Sequence, residues 1–189
     1  MSKKRNDSYF AAGRKKRKKY MMIIIPIIIA VAAAGTAAAA VLAPQQGSNF
    51  GALNSAHEHA VFAVKLDGEA IDFSQSKYQV GTTRNQYIHV ENGDGTTLHR
   101  HSTNVPVGEF FRSVSMGISD GCFVDDNGTQ FCDGTDGNQL RFFVNGTERE
   151  SIMEYVLQPN DRILVIYGNE TQEELQAEFN ELNDTPIKA

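Results

Sequence analysis

The sequence predicts an α+β domain: a mixed β-sheet packed on one short helix, preceded by a β-hairpin and an N-terminal transmembrane helix. Three observations predict it. From residue 60 onward, short apolar runs alternate with polar residues and are broken by Asp-Gly and Asn-Gly pairs, the signature of strands and tight turns. One segment, 105–116, carries Val107, Phe110, Phe111 and Val114 at helical spacing. Residues 21–43 carry no charge at all.

That uncharged segment has 23 residues, about 34 Å as a helix, enough to cross a bilayer with some tilt. Pro26 falls in its first turns, where a lost hydrogen bond costs least. It is longer than the apolar core of a cleaved signal peptide, so it reads as a signal-anchor. Residues 1–20 hold nine Lys/Arg against one Asp, whereas residues 44–189 hold nine Lys/Arg against 22 Asp/Glu. A basic flank stays in the cytoplasm, which makes 1–20 a cytoplasmic tail in contact with anionic lipid and puts the acidic remainder outside the cell membrane. That acidity argues against a nucleic-acid partner.

Residues 44–56 read as a linker, 57–170 as the extracytoplasmic domain and 171–182 as an acidic amphipathic helix. In that helix Thr171 and Glu174 form a capping box ahead of Leu175, Phe179 and Leu182. Within the domain, 60–73 is a hairpin turning at Asp67-Gly68, with Ala70–Phe73 as its return strand. A second hairpin turns in 92–95. The helix 105–116 follows, with Pro106 in its first turn and Ser102, Thr103 or Asn104 as its cap. Leu140–Val144, Tyr155–Leu157 and Arg162–Tyr167 are strands. Cys122 and Cys132 flank Asn127-Gly128, a turn that brings them together, and outside the cytoplasm they form a disulfide. Asn127, Asn145 and Asn169 begin Asn-x-Thr sequons, candidate glycosylation sites in that location.

All five histidines lie within residues 57–101: His57-x-His59, His89, and His99-x-His101. Residues two apart on a strand share a face, so each pair presents two imidazoles side by side. Whether His89 joins His99 and His101 depends on the second turn. A three-residue loop Gly93-Asp94-Gly95, with Gly95 in the left-handed region, sets His89 opposite His99. A two- or four-residue loop turns it away. Three imidazoles on one face suit copper or zinc, with His57 and His59 completing the site or forming another, and Glu91 or Asp94 as outer acceptors.

From residue 87 the order is hairpin, helix, strand, turn, strand, as in the β-grasp. Together with LRFFVNG and YVLQPNDRILVIYG, the pieces His57-x-His59, Ile88-His89-Val90-Glu91, His99-x-His101 and Gly108-Glu109-Phe110-Phe111 carry a resemblance over residues 57–170. The chain resembles a family of membrane-anchored, histidine-rich proteins of archaea and bacteria, with close-looking members in ammonia-oxidising archaea. The resemblance implies a β-grasp-like fold and an extracytoplasmic location, and no activity. Some relatives carry a protein-disulfide-isomerase label, which the spacing of Cys122 and Cys132 does not support.

No nucleophile elbow or phosphate-binding loop occurs. The reading is metal binding or delivery rather than catalysis. Two alternatives stand beside it: a metal-independent module that binds an envelope protein, and a thiol-disulfide oxidoreductase using Cys122 and Cys132.

Overall fold

The computed structural model describes residues 50–81 and 85–188. The expected membrane segment 21–43 lies outside the described residues, and no helix among those described is long and apolar enough to cross a membrane. The described chain is α+β. Its strands are β1 (Glu58–Leu66), β2 (Glu69–Ala70), β3 (Ile88–His89), β4 (Thr97–Arg100), β5 (Gly117–Ser119), β6 (Cys122–Val124), β7 (Gln130–Cys132), β8 (Gln139–Val144), β9 (Thr147–Arg149) and β10 (Arg162–Gly168). Its helices are α1 (Val107–Ser113) and α2 (Gln172–Asp184).

The main sheet runs β3-β4-β1-β10-β8-β9, with β2 paired to the far end of β1. β1 and β10 are parallel at its centre, and the other pairings between its named strands are antiparallel. The first hairpin therefore does not precede the sheet, as the sequence suggested. Its strand is central. The run AVFAV explains why: strands covered on both faces are apolar at successive positions rather than alternately. Phe62 and Val64 point into the larger core with Phe73, Phe110 and Phe111, while Val61 points to the opposite face with Leu164, Ile166 and Phe143.

Helix α1 covers the first face, burying Val107, Phe110 and Phe111. It has no side-chain cap: Ser102, Thr103 and Asn104 do not serve, and Pro106 is itself the cap residue. The first N–H groups, of Val107 and Gly108, donate to the carbonyls of Tyr155 and Met153 at 2.8 and 3.0 Å. That is where the expected strand 155–157 goes. Its backbone satisfies the helix terminus instead of joining the sheet. Gly108 permits the approach, since a Cβ there would lie 2.5 Å from the Met153 carbonyl oxygen.

Helix α2 covers the other face through Leu175, Phe179 and Leu182 and opens with the expected capping box between Thr171 and Glu174. The return strand after Asp67-Gly68 stops at Ala70, and Phe73 then turns into the core, 1% exposed. Two short strands had no clear pattern in the sequence, β5 and β9. The latter is closed by Asn145-Gly146, both residues at positive φ. β5, β6 and β7 form a separate antiparallel sheet in which Cys122 pairs directly with Cys132 and bonds to it.

Candidate metal centre

The histidines gather where β1, β3 and β4 run side by side. β4 pairs with β1 so that His99 opposes His59, and with β3 so that His99 also opposes His89. Three imidazoles thus form a row across three strands. His57 immediately precedes β1 and His101 immediately follows β4, which adds a second row one pleat further on. By strand alternation this face is the one that α2 covers further along, beyond Val61 and Thr97.

The alignment with His89 opposite His99 is the one a three-residue loop would give, but the turn is built differently. Asn92 and Gly93 take the positive φ values, 57° and 71°, and Gly95 does not. Gly95 is required for closeness: a Cβ there would meet the Ser74 nitrogen at 2.3 Å and the Phe73 carbonyl carbon at 2.7 Å. Asp94 is spent on the turn and on the chain end. Its Oδ1 accepts from Thr96 N, Thr96 Oγ1 and Lys188 Nζ. Burial would raise its pKa, but hydrogen bonds from Thr97, Thr96 and Lys188 outweigh this and hold it at about 2. Glu91 is the acidic residue that reaches the histidines, with Oε2 3.2 Å from His89 Nε2.

The five rings form one continuous cluster. Centroid separations are 4.5 Å for His59–His99, 4.8 Å for both His57–His59 and His57–His101, and 4.9 Å for His89–His101. The rings of His89, His99 and His101 are nearly parallel, which spaces their donor atoms along the face. The donors that converge belong to two other groups: His57, His99 and His101, and His89, Glu91 and His101. Within each group they lie within 4.8 Å of one another. His59 stays in neither group, and its Nε2 is buried without a hydrogen-bond partner.

His99 is only 4% exposed. Burial, then the neighbouring His59, His89 and His101, push its pKa down to about 4 against the pull of Glu91. Burial also lowers His59, helped by His57, and lowers His101, helped by His89 and His57. Near neutral pH these three rings are uncharged, which is the form that ligates metal. A nitrogen-rich donor set, an orphaned buried Nε2 and neutral rings all fit a divalent transition metal.

Residues 50–55 run along the cluster's edge. Gly51 N donates to Thr103 O and Asn54 N to His101 O, and Ser102 Oγ donates to Gly51 O. The sequence carried no signal for this strap, nor for Lys188, whose backbone N–H donates to Thr97 Oγ1.

The other candidate residues lie elsewhere. In the three-stranded sheet Cys122 is 8% exposed and its disulfide partner Cys132 is half-buried. Asn127, Asn145 and Asn169 are exposed, but the Asn145 side chain is engaged, donating to Asp161 Oδ1 and accepting from Arg162 N. No family model, curated protein or solved structure matches the chain.

Proposed function

We propose that this chain binds copper or zinc as a divalent ion through His57, His99 and His101, for metal binding or delivery at the outer side of a membrane to which residues 21–43 anchor it. The observation that carries this reading is the convergence of three histidine donor atoms within 4.8 Å, contributed by segments far apart in sequence. Donors on one tetrahedral ion sit about 3.3 Å apart for bonds of about 2.0–2.1 Å, so small rotations of the rings close the site. His59, whose Nε2 is buried and unpartnered, packs against His99 beside this group without being one of its converging donors. Both cysteines are tied in the disulfide, so thiolate is not part of the donor set, which favours Cu²⁺ or Zn²⁺ over Cu⁺.

The strand order β4-β1-β10-β8-β9, parallel at its centre with α1 on one face, supports reading the domain as a β-grasp. Location follows from the charge split and the uncharged segment, and fits membership of the anchored histidine-rich family. The test is titration of the metal-free full chain with Cu²⁺ and Zn²⁺. The expected result is tight binding that is lost when His57, His99 and His101 are together replaced by Ala. Equal binding by that triple variant overturns the reading.

A further inference from the structure

The ring of His89 is fixed at both nitrogens. Nδ1 lies 3.2 Å from the Asn85 carbonyl oxygen, and Nε2 lies 3.2 Å from Glu91 Oε2. A carbonyl only accepts, so Nδ1 carries the hydrogen. In the neutral ring, Nε2 then turns a lone pair toward a carboxylate, which also only accepts. Two acceptors held this close repel each other unless a cation lies between them, either a proton on Nε2 or a metal ion. Their separation matches that of two donors on a single tetrahedral ion, about 3.3 Å. A third donor stands ready: His101 stacks on His89 at 4.9 Å, and the donor atoms of His89, Glu91 and His101 all lie within 4.8 Å. The group is reached from outside. An open groove of about 320 Å³, bordered by Leu53, Asn54 and Gln86, ends on these same three residues.

We infer that the cluster takes two divalent ions, the second held by His89 Nε2, the Glu91 carboxylate and His101. The inference rests on the first ion lying at His57, His99 and His101. His101 is common to both groups, and an imidazole has two nitrogens, so it lends one to each ion and releases its ring proton to solvent. The second position differs in kind from the first. It includes a carboxylate and lies at the end of a groove, whereas the first combines exposed His57 with buried His99.

The experiment is a Zn²⁺ and Cu²⁺ titration of the metal-free full chain by calorimetry, with bound metal counted by elemental analysis. Wild type is expected to bind two equivalents. Glu91→Gln keeps the shape and lets an amide N–H donate to His89 Nε2, so it is expected to bind one. His57→Ala is expected to lose the other. With Cu²⁺, the second equivalent should convert an isolated-ion electron paramagnetic resonance spectrum into a coupled one. One equivalent in wild type, unchanged in Glu91→Gln, means that only a proton sits between His89 and Glu91. That overturns the second site and leaves the first intact. A signal that merely doubles overturns the sharing of His101. No binding in any form overturns both sites.

Discussion

His59 and His99 are direct cross-strand partners at the junction of β1 and β4, their rings 4.5 Å apart and nearly perpendicular. Neither can gain a proton without placing a charge against the other's ring. The pairing makes the cluster a store of neutral imidazoles, and this has consequences for stability as well as for binding.

Stability should fall with pH across the histidine range. His99 titrates at about 4 in the fold, while the unfolded ring titrates at about 6.5. Below 6.5 the unfolded chain gains a proton that the native chain refuses, so unfolding becomes easier until the native ring also protonates. The contribution is therefore complete above 6.5 and is lost between 6.5 and 4. From His99 alone the loss is about 2 kcal/mol by pH 5 and about 3 kcal/mol in the limit. His59 and His101, also lowered, act in the same direction. Urea unfolding of the metal-free chain at pH 7.5 and 5 should show the drop, and His99→Gln should flatten it. Superimposable curves at the two pH values would contradict the burial of these rings.

Two glycines of the second hairpin should respond differently to alanine. At Gly93 the cost is conformational, since φ is 71° and nothing lies within 4 Å of a new Cβ. About 1 kcal/mol is expected. At Gly95 the new methyl group would strike the backbone of Phe73 and Ser74. Backbone gives way less easily than side chain, so roughly 2–3 kcal/mol is expected. Denaturant midpoints will rank them, and a larger loss for Gly93→Ala would invert the roles assigned to the two residues.

That turn also shows how far the sequence can be read. The side-chain period of two is rigid, so placing His89 opposite His99 needed only the right parity. The positions of positive φ were not legible, because Asn92-Gly93 and Asp94-Gly95 are equally good turn pairs and tertiary contact with Phe73 chose between them. The apolar stripe of α1, the capping box of α2 and the Cys122–Cys132 pairing were legible because each is local. The central place of β1 was not: strand order depends on which edges meet across about a hundred residues, and an apolar run states burial without naming the neighbour. Likewise Glu91 could be named as an acceptor near the histidines, but only the fold shows that the Asn85 carbonyl, four residues before His89, takes the other ring nitrogen and leaves Nε2 facing the carboxylate.

The disulfide should act on stability and not on metal. Its closed loop, with ten residues of separation, lies in the β5–β6–β7 sheet rather than in the main sheet that carries the histidines. Replacing both cysteines by Ser should cost about 3 kcal/mol in the chain-entropy account. Metal affinity measured under conditions where the chain stays folded should be unchanged within a factor of about two. A large loss of affinity would place the cysteines in the functional site.

Metal should stabilise the fold, and His57 is the residue that isolates this effect. Its ligand partners His99 and His101 lie more than forty positions away, so the three donors meet only in the native chain. An ion bound to the native state alone adds about 2.7 kcal/mol at a hundredfold excess over Kd, and somewhat less here because the two His-x-His pairs keep weak affinity in the unfolded chain. His57 is exposed, unlike His99, so replacing it by Ala removes a ligand without opening a cavity. The metal-free variant should therefore unfold within about 0.5 kcal/mol of wild type. Its stabilisation by saturating Zn²⁺ should be smaller than that of wild type, because only the position at His89, Glu91 and His101 remains. Thermal unfolding with and without metal separates the two effects: an unchanged metal-induced shift in His57→Ala would remove His57 from the donor set, whereas a destabilised metal-free form would show that it acts through packing against His59 and His101.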